Sequence, residues 1–140
     1  MTAIVAVGVA RAAYEHALVY AKERKQFGQP IANFQAVQFM LADMVTEIEA
    51  ARLLTLKAAR MKDAGQRSDL EAGMAKLFAS EAGKEVVEDA FRIHGGYGYS
   101  KEYEIERLMR EAPFLLIGEG TSEIQKTIIS RGLLREYRQR

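Results

Sequence analysis

The stretch NFQAVQFMLADMVTEIEAARLLTLKAARMKDAG, from Asn33 to Gly65, decides the fold class of this chain. Its apolar residues recur every three or four positions over about eight turns, which is the spacing of one buried helix face. Asn33 is a residue type that caps helix starts, and Gly65 is one that closes helix ends. We therefore predict one long amphipathic helix between them. Its inward stripe comprises Val37, Met40, Leu41, Met44, Ile48, Ala51 and Leu54 or Leu56.

The flanking sequence predicts further helices joined by short loops. A first helix is expected over residues 2–23, before a turn at Gly28-Gln29-Pro30. The next begins at a capping box formed by Ser68 and Glu71 and stops at His94-Gly95-Gly96. The expected inward residues of these two helices are Ile4, Val7, Leu18 and Ala21 in the first, and Ala75, Phe78, Ala82, Val86 and Ala90 or Phe91 in the second.

The C-terminal third predicts a short helix over residues 101–110, which Pro113 ends. A last helix runs from about Thr121 to Tyr137. Residues 114–117 are the single candidate strand, and they are too isolated to pair. The predicted fold class is all-α, an up-down bundle with antiparallel neighbours. The expected inward residues are Ile105, Leu108 and Met109 in the short helix, and Ile124, Ile128 and Leu134 in the last one.

Size and composition limit the function classes. The chain has 140 residues, enough for a single domain with its own core. A net charge of +1 gives no general attraction to nucleic acid or anionic membranes, and we expect neither partner. The absence of cysteine excludes a disulfide scaffold and favours an intracellular location. No apolar run approaches the roughly 18 residues of a membrane span. No His, Asp and Glu cluster has the spacing of a metal site.

Two polar segments each have a structural and a functional interpretation. The basic run Lys22–Lys25 is typical of a solvated helix C-terminus, where cations offset the helix dipole. With Gln26 and Phe27 it also suits a phosphate or an adenine, with Arg24 as donor and Phe27 as stacking face. His94–Tyr99 resembles a helix C-cap and turn, but its glycines also offer bare backbone to a flat or charged ligand. It lacks the strand and the third glycine of a dinucleotide fingerprint.

Glu119 stands between Gly118 and Gly120, just before a predicted helix start. A carboxylate at that place commonly stabilises the helix dipole ahead of a cap such as Thr121. The two glycines supply no packing contacts and cost backbone entropy, so they indicate that a ligand approaches closely. Both interpretations of Glu119 are open on this pattern alone.

Five blocks of the chain, taken in order, resemble the C-terminal helical domain of the acyl-CoA dehydrogenases, with matching spacing along nearly the whole sequence. The resemblance implies a four-helix bundle, homodimer or homotetramer contacts made through it, and FAD bound with help from a neighbouring subunit. The blocks are Arg24-Lys25-Gln26-Phe27-Gly28, Phe34-Gln35, His94-Gly95-Gly96-Tyr97-Gly98-Tyr99, Glu106-Arg107-Leu108-Met109-Arg110 and Glu119-Gly120-Thr121-Ser122-Glu123-Ile124-Gln125.

The resemblance implies a role for each matched residue. Glu119 would be the general base that removes the α-proton of an acyl-CoA thioester while the β-hydride passes to the flavin. Gly120 would let the substrate approach the backbone, and Arg131 would lie near the CoA end. The implied FAD contacts are Arg24, Gln26 and Phe27 to the ADP half in a partner subunit, Gln35 with Arg92, Ile93, His94, Gly95 and Gly96 in another segment, and Thr121, Ser122 and Glu123 at the flavin.

Three positions depart from the pattern that the resemblance implies. Arg92 and His94 stand where many members have glutamine and leucine, so the adenine contacts are expected to differ. Gly118 stands where a tyrosine is frequent, which opens space beside the base.

The resemblance also implies an N-terminal helical domain and a middle β-domain, which are absent from residues 1–140. The start near Met1 without a cap suggests a truncation or a separately expressed domain. We therefore expect the chain alone to have little or no activity. The complete enzyme is expected to pass electrons to an electron-transfer flavoprotein in the cytoplasm, or in the mitochondrial matrix of a eukaryote. The alternatives are a flavin oxidase or monooxygenase relative, and a non-catalytic helical assembly module.

Overall fold

Helices make up most of the chain in the computed structural model, which describes residues 2–138. The prediction of an all-α fold is confirmed. The single-domain prediction also includes Met1 and residues 139–140, which lie outside the described residues. The α-helices are α1 (Thr2–Glu23), α2 (Gln35–Asp63), α3 (Asp69–His94), α4 (Ile105–Ile117) and α5 (Ser122–Arg138), and the short 3-10 helices are Ile31–Asn33 and Gly95–Tyr99.

The long helix α3 is the axis of the bundle, because α1, α2, α4 and α5 all pack against it. Helices α4 and α5 follow one another along α3: Leu115 of α4 lies beside Gly83, and Gly132 of α5 lies beside Leu70. Together they form the fourth column of an up-down four-helix bundle, as predicted. This column is interrupted at residues 118–121, where Glu119 stands.

The buried face of α1 consists almost wholly of alanine. A β-carbon placed on Gly83 would lie 3.4 Å from the Ala6 carbonyl oxygen, so α1 and α3 approach closely at this crossing. The predicted α1 stripe was wrong at Ile4, which is exposed, because this narrow interface accepts small side chains. The buried residues of α1 are Ala3, Ala6, Val7, Ala10, Ala13, Ala17 and Ala21.

Helix α1 also has the length and mean hydropathy, 1.2, of a helix that crosses a membrane. The prediction that no apolar run approaches about 18 residues still holds, because Arg11 and Glu15 interrupt α1. In the structure its alanine face packs in the bundle core, which is the environment of a core helix.

Helices α2 and α3 bury most of their predicted stripes, including Met44, Ile48 and Val86. Two predicted side-chain caps were wrong. Asn33 ends a 3-10 helix and donates from Nδ2 to Gln29 Oε1 at 3.4 Å, while Phe34 is the N-cap of α2. Ser68 is the N-cap of α3, but its hydroxyl makes no capping hydrogen bond.

A small hairpin follows α1, where the sequence predicted only a turn. Strand β1 (Lys25–Gln26) pairs antiparallel with β2 (Gln29–Pro30). Phe27 and Gly28 join them with φ values of 52° and 79°, which is the backbone of a type I′ turn. The prediction of no paired strand was therefore wrong at this point.

Helix α4 runs through Pro113, so the predicted stop at residue 110 was wrong, and residues 114–117, which were judged too isolated to pair as a strand, are helical. Proline removes one backbone hydrogen bond from a helix interior, at a cost of about 3 kcal/mol. Pro113 lies on the exposed side, while the opposite side continues an apolar stripe into the core. The free energy gained by burying that stripe outweighs the tendency of proline to end a helix. The stripe comprises Ile105, Leu108, Ala112 and Leu115.

Helix α5 faces the core with a side that its apolar pattern did not predict. The expected inward residues Ile124, Ile128 and Leu134 are all exposed. Instead Ser122 and Gln125 are buried against α3. Glycines in both helices decide which side of α5 faces α3. Gly132 of α5 lies beside Leu70, and Gly73 of α3 lies beside Gln125, Ile128 and Ile129.

Replacing Ala6 with leucine tests the close approach of α1 and α3. Three added carbon atoms have no space beside Gly83, so we expect the free energy of unfolding to fall by about 1–3 kcal/mol. Urea denaturation measures this change. Ala59→Leu, on the exposed side of α2, is the control and is expected to change stability by less than about 0.5 kcal/mol. Equal stabilities of the two variants would contradict the packing.

Candidate functional site

Glu119 stands on a strained turn between α4 and α5, with its side chain exposed. Its φ is 58° and that of Gly120 is 98°, so the chain is left-handed at both residues. A left-handed backbone costs an ordinary residue about 1–2 kcal/mol. A β-carbon on Gly118 would lie 2.9 Å from the Phe114 ring, so the space that the sequence predicted beside Glu119 is occupied, and a larger residue there would require the exposed Phe114 side chain to move. The turn presents one carboxylate on a bare backbone.

Side chains from α3 and α5 hold this turn against the bundle. Lys76 of α3 donates from Nζ to the Leu115 carbonyl oxygen at 3.0 Å. Gln125 of α5 donates from Nε2 to the carbonyl oxygen of Glu119 at 3.3 Å. Neither tether was predicted from the sequence, because a lysine and a glutamine inside helical stretches resemble surface residues.

The first turn of α5 carries the other residues of the predicted flavin side. Thr121 Oγ1 accepts a hydrogen bond from the Ile124 N–H at 3.3 Å and so caps the helix. Hydrogen bonds from its own backbone N–H and from the Thr121 hydroxyl hold the pKa of Glu123 below its ordinary value. Ser122 is buried and donates its hydroxyl to Glu81 Oε1 at 2.5 Å. The Ser122 side chain therefore tethers α5 to α3.

A cleft of about 610 Å³ lies at the C-terminal end of α3. It unites most of the residues that the sequence predicted on the basic run and on the glycine segment. Arg24 stacks over the ring of Tyr97, with its guanidinium carbon 5.3 Å from the ring centroid. No atom lies within 4 Å of a β-carbon placed on Gly95 or Gly96, so open space borders their backbone. The lining residues are Tyr20, Arg24, Gln26, Ile31, Ile93, His94, Gly95, Gly96, Tyr97 and Ser100.

His94 forms the buried wall of this cleft. Its ring stacks on Tyr20 with centroids 4.3 Å apart, and Tyr103 meets it edge-on at 5.8 Å. Nδ1 lies 2.7 Å from the Ala90 carbonyl oxygen, to which it must donate, since a carbonyl only accepts. Burial lowers the pKa of His94, although the hydrogen bond to Ala90 acts the other way. The imidazole is therefore kept neutral and serves as an aromatic wall. The aromatic partners Tyr20 and Tyr103 gave no signal in the sequence.

Besides the residues at the turn, four predicted cofactor or substrate contacts lie outside the cleft lining. Phe27 stands at the hairpin tip, 92% exposed, with its ring edge-on to Phe34. Gln35 begins α2, and Arg131 lies on α5; both side chains are exposed. Arg92 is exposed beside Asp89, at 3.9 Å. All four are available to a group outside this chain.

The turn with Glu119 and the cleft with His94 are two separate places on one chain. Ser122, which follows the turn, is hydrogen-bonded to Glu81 of α3. At a helical rise of about 1.5 Å per residue, Glu81 lies about 20 Å along α3 from His94 in the cleft. Across residues 2–138, no group of three His, Asp or Glu side chains is arranged to hold a metal ion. The arginine and the aromatic side chains of the cleft suit an organic ligand with anionic and aromatic parts.

Comparison with known proteins places these residues in a family. The domain described as "acyl-CoA dehydrogenase, C-terminal domain" matches residues 1–134. A probable acyl-CoA dehydrogenase of Bacillus subtilis, YngJ, is 56% identical over 133 residues, which are 95% of this chain and 35% of that protein.

Solved structures share the fold as well as the sequence. The butyryl-CoA dehydrogenase of Megasphaera elsdenii superposes with a TM-score of 0.93 at 45% identity, over 95% of this chain and 35% of that one. The FAD complex of PigA superposes with a TM-score of 0.90 at 34% identity, over 94% of this chain and 34% of that one. This chain thus spans about a third of the length of these relatives.

Replacing Gly120 with alanine tests the strain of the turn. A β-carbon there would meet Gln125 Nε2 at 2.7 Å, and φ is 98°, so we expect a loss of about 1–3 kcal/mol in the free energy of unfolding. The control is Gly8→Ala on the exposed side of α1, where nothing lies within 4 Å. Alanine in that helix interior should stabilise the chain by roughly 0.5–1 kcal/mol. Urea denaturation of both variants compares the effects, and a stabilised Gly120→Ala chain would refute the turn geometry.

The buried imidazole predicts how stability changes with pH. Because folding lowers the pKa of His94 below its ordinary 6.5, the unfolded chain binds this proton first as the pH falls. The contribution of His94 to stability is complete above 6.5 and is lost as the pH drops toward the lowered value. His94→Phe keeps a stacking ring and should remove this part of the slope. His16→Gln, at an exposed site on α1, removes only the smallest cause of the lowered pKa of His94 and should keep most of this slope. Thermal unfolding between about pH 5 and 8 measures both, and an unchanged slope in His94→Phe contradicts the assignment.

Proposed function

This chain belongs to the family of acyl-CoA dehydrogenase C-terminal domains, and we propose that it supplies the catalytic base and part of the FAD site of such an enzyme. The observation that carries the proposal is the exposed carboxylate of Glu119, held on a left-handed turn between two glycines. A protein keeps such strain where the geometry has a use. In the matched family pattern this residue faces the α-carbon of the substrate.

The reaction assigned to Glu119 is the removal of a proton from carbon. Its carboxylate accepts the α-proton of an acyl-CoA thioester, and the β-carbon loses a hydride, so that an α,β double bond forms. FAD, when bound, supplies the acceptor of that hydride. Negative charge develops on the thioester oxygen and needs hydrogen-bond donors around it. Substrate that covers the exposed Glu119 would exclude water and make its carboxylate a stronger base.

The turn also explains how a substrate gains access to this base. Gly120 is half-buried and leaves the backbone after Glu119 without a side chain, so an acyl chain and its thioester are proposed to lie against it on this side. Gly118, on the other side, is buried beside the Phe114 ring. Arg131, exposed on α5, is proposed to approach the CoA end. Thr121 and Glu123 face the same helix start and are proposed to contact the flavin ring. The buried Ser122 hydroxyl is bonded to Glu81, so a flavin contact by Ser122 would use its backbone.

The cleft suits the ADP half of FAD. Arg24 and Gln26 supply donors for phosphate oxygens, and the bare backbone of Gly95 and Gly96 permits close approach. Tyr97 and the buried His94 add aromatic surface. Phe27, on its exposed hairpin tip, is placed to stack on a group beyond this chain. The remaining proposed contacts of this half are Gln35, Arg92 and Ile93.

The distance between the two places supports an oligomer. Glu119 and the cleft are separated by about 20 Å along α3, so they are proposed to serve two different FAD molecules. The cleft of one chain would hold the ADP half of the FAD whose ring faces Glu119 of its partner. A homodimer or homotetramer provides this arrangement. Segments outside residues 1–140 are proposed to cover the substrate, and an electron-transfer flavoprotein is proposed to reoxidise the enzyme.

A chimera tests the assignment of the base. Residues 1–134 would replace the matching third of the butyryl-CoA dehydrogenase of Megasphaera elsdenii, which supplies the other segments. With butyryl-CoA and an electron-accepting dye, Glu119→Gln should lose at least about a hundredfold in rate while still binding FAD. Glu15→Gln, an exposed carboxylate on α1, is the matched control and should keep the rate. Equal rates in both variants would exclude Glu119 as the base.

The same measurements separate the alternatives. An oxidase or monooxygenase relative would consume oxygen in the chimera instead of reducing the dye. An assembly module would leave the chimera without bound FAD. The 140-residue chain alone, with FAD and butyryl- or octanoyl-CoA, is expected to reduce no dye, since most of the substrate site is proposed to lie in other segments. Dye reduction by that chain would contradict this expectation.

A further inference from the structure

We propose that Lys76 is a positioning residue for Glu119: its buried ammonium group holds the C-terminal carbonyls of α4 and thereby fixes the turn that carries the base. The inference deepens the proposed function and takes its chemical meaning from it. Lys76 matches none of the residues that the family pattern assigned to the site. Its role is argued from its contacts alone.

The environment of Lys76 is unusual for a lysine. Only 6% of its surface is exposed, although it lies in the middle of α3. Lysine is almost never buried unless its charge has a partner. Its Nζ donates to the Leu115 carbonyl oxygen at 3.0 Å and to the Leu116 carbonyl oxygen at 3.4 Å. Both partners are backbone atoms of the last turn of α4.

These carbonyls need a donor because the helix stops. The last carbonyls of an α-helix have no N–H group one turn ahead, and together they carry about half a negative charge. Gly118 still donates to the Phe114 carbonyl oxygen at 2.8 Å, but the left-handed Glu119 ends the helical pattern. The Lys76 ammonium group takes the place of the missing turn and offsets the negative end of the helix. Burial lowers the pKa of Lys76, while the charge of Glu81 acts in the opposite direction.

The connection to Glu119 runs through the backbone. The Leu115 and Leu116 carbonyls held by Lys76 lie within one helical turn of Glu119. On the other side, Gln125 holds the carbonyl oxygen of Glu119 itself at 3.3 Å. Because these hydrogen bonds fix the backbone before Glu119 and at Glu119 itself, its left-handed conformation persists. Release of the α4 end would let Glu119 relax toward an ordinary backbone conformation and move its carboxylate.

Solution NMR of the full chain can measure the backbone conformation and the opening of the turn directly. The Cα shift and the HN–Hα coupling of Glu119 report its φ, and amide exchange reports how often the turn opens. Lys76→Met keeps the length and volume of the side chain but removes its charge and donors. We expect it to change the φ signature of Glu119 and to speed amide exchange of residues 117–121 by at least about tenfold, with little change in α1 and α2.

Two further variants sharpen this test. Lys84→Met, on the same helix, removes a half-buried lysine that pairs with Glu88, and should leave the Glu119 signature unchanged. Lys76→Arg keeps a cation with donors and should restore the signature in part. An unchanged Glu119 signature in Lys76→Met, or faster exchange spread evenly over the whole chain, would overturn the inference.

A measurement on the unsubstituted chain covers the case in which Lys76→Met does not fold. The Lys76 ammonium protons should exchange slowly with water and show cross-peaks to Leu115 and Leu116. Rapid exchange without such cross-peaks would overturn the inference. None of these measurements needs turnover. If Glu119 fails as the base in the chimera while the Lys76 effects appear, the proposed function fails and the positioning of the turn stands.

Discussion

A helix that breaks inside a bundle exposes backbone groups to an interior without water, and this constraint organises the structure around Glu119. The fourth column of the bundle stops at Ile117 and resumes at Ser122. Its unpaired groups must find partners, since a buried unpaired carbonyl or N–H costs about 1–3 kcal/mol. Lys76 meets the end of α4, and Thr121 and Gln125 meet the turn and the start of α5. The break is thus held by contacts as specific as those of a helix.

The central position of α3 makes this arrangement rigid. Lys76 and Glu81, which tether the two halves of the fourth column, belong to a helix that all the other α-helices contact. Its small residues allow close approach, as at Gly83 beside Ala6 of α1. A close-packed interface transmits displacement because it has no room to absorb it. The strain at Glu119 is therefore supported by the whole bundle and not by the turn alone.

The same helix connects the two candidate places. Its middle holds the turn of Glu119, and its C-terminal end supplies His94 and the glycines of the cleft. Each place has an exposed polar surface on a fixed base, which is the usual design of a binding site on a rigid scaffold. Because α3 sets the separation, the two places cannot close on each other, which is why they are proposed to serve two different FAD molecules.

The sequence predicted most of the helices because local patterns decide where a helix forms. The bounds of α1 and the end of α3 at His94 follow from helix formers, breakers and spacing. Predictions failed where tertiary contacts opposed local preference. Helix α4 continues through Pro113 because its apolar stripe remains buried beyond it, and α5 leaves Ile124 and Leu134 exposed because glycines fix its contact with α3.

The residues of the candidate site also fall into those that the sequence identifies and those that only the tertiary structure reveals. The sequence by itself determined which residues are available: the carboxylate of Glu119 between glycines, the basic run around Arg24, and the glycines after His94. These are properties of residue type and order, which need no neighbours to be recognised. Only the tertiary structure decided that Arg24 and His94 share one cleft, that Glu119 lies far from it, and that Lys76 is buried at the end of α4. Such contacts join residues far apart in the chain, and the packing of α1, α2, α4 and α5 around α3 creates them.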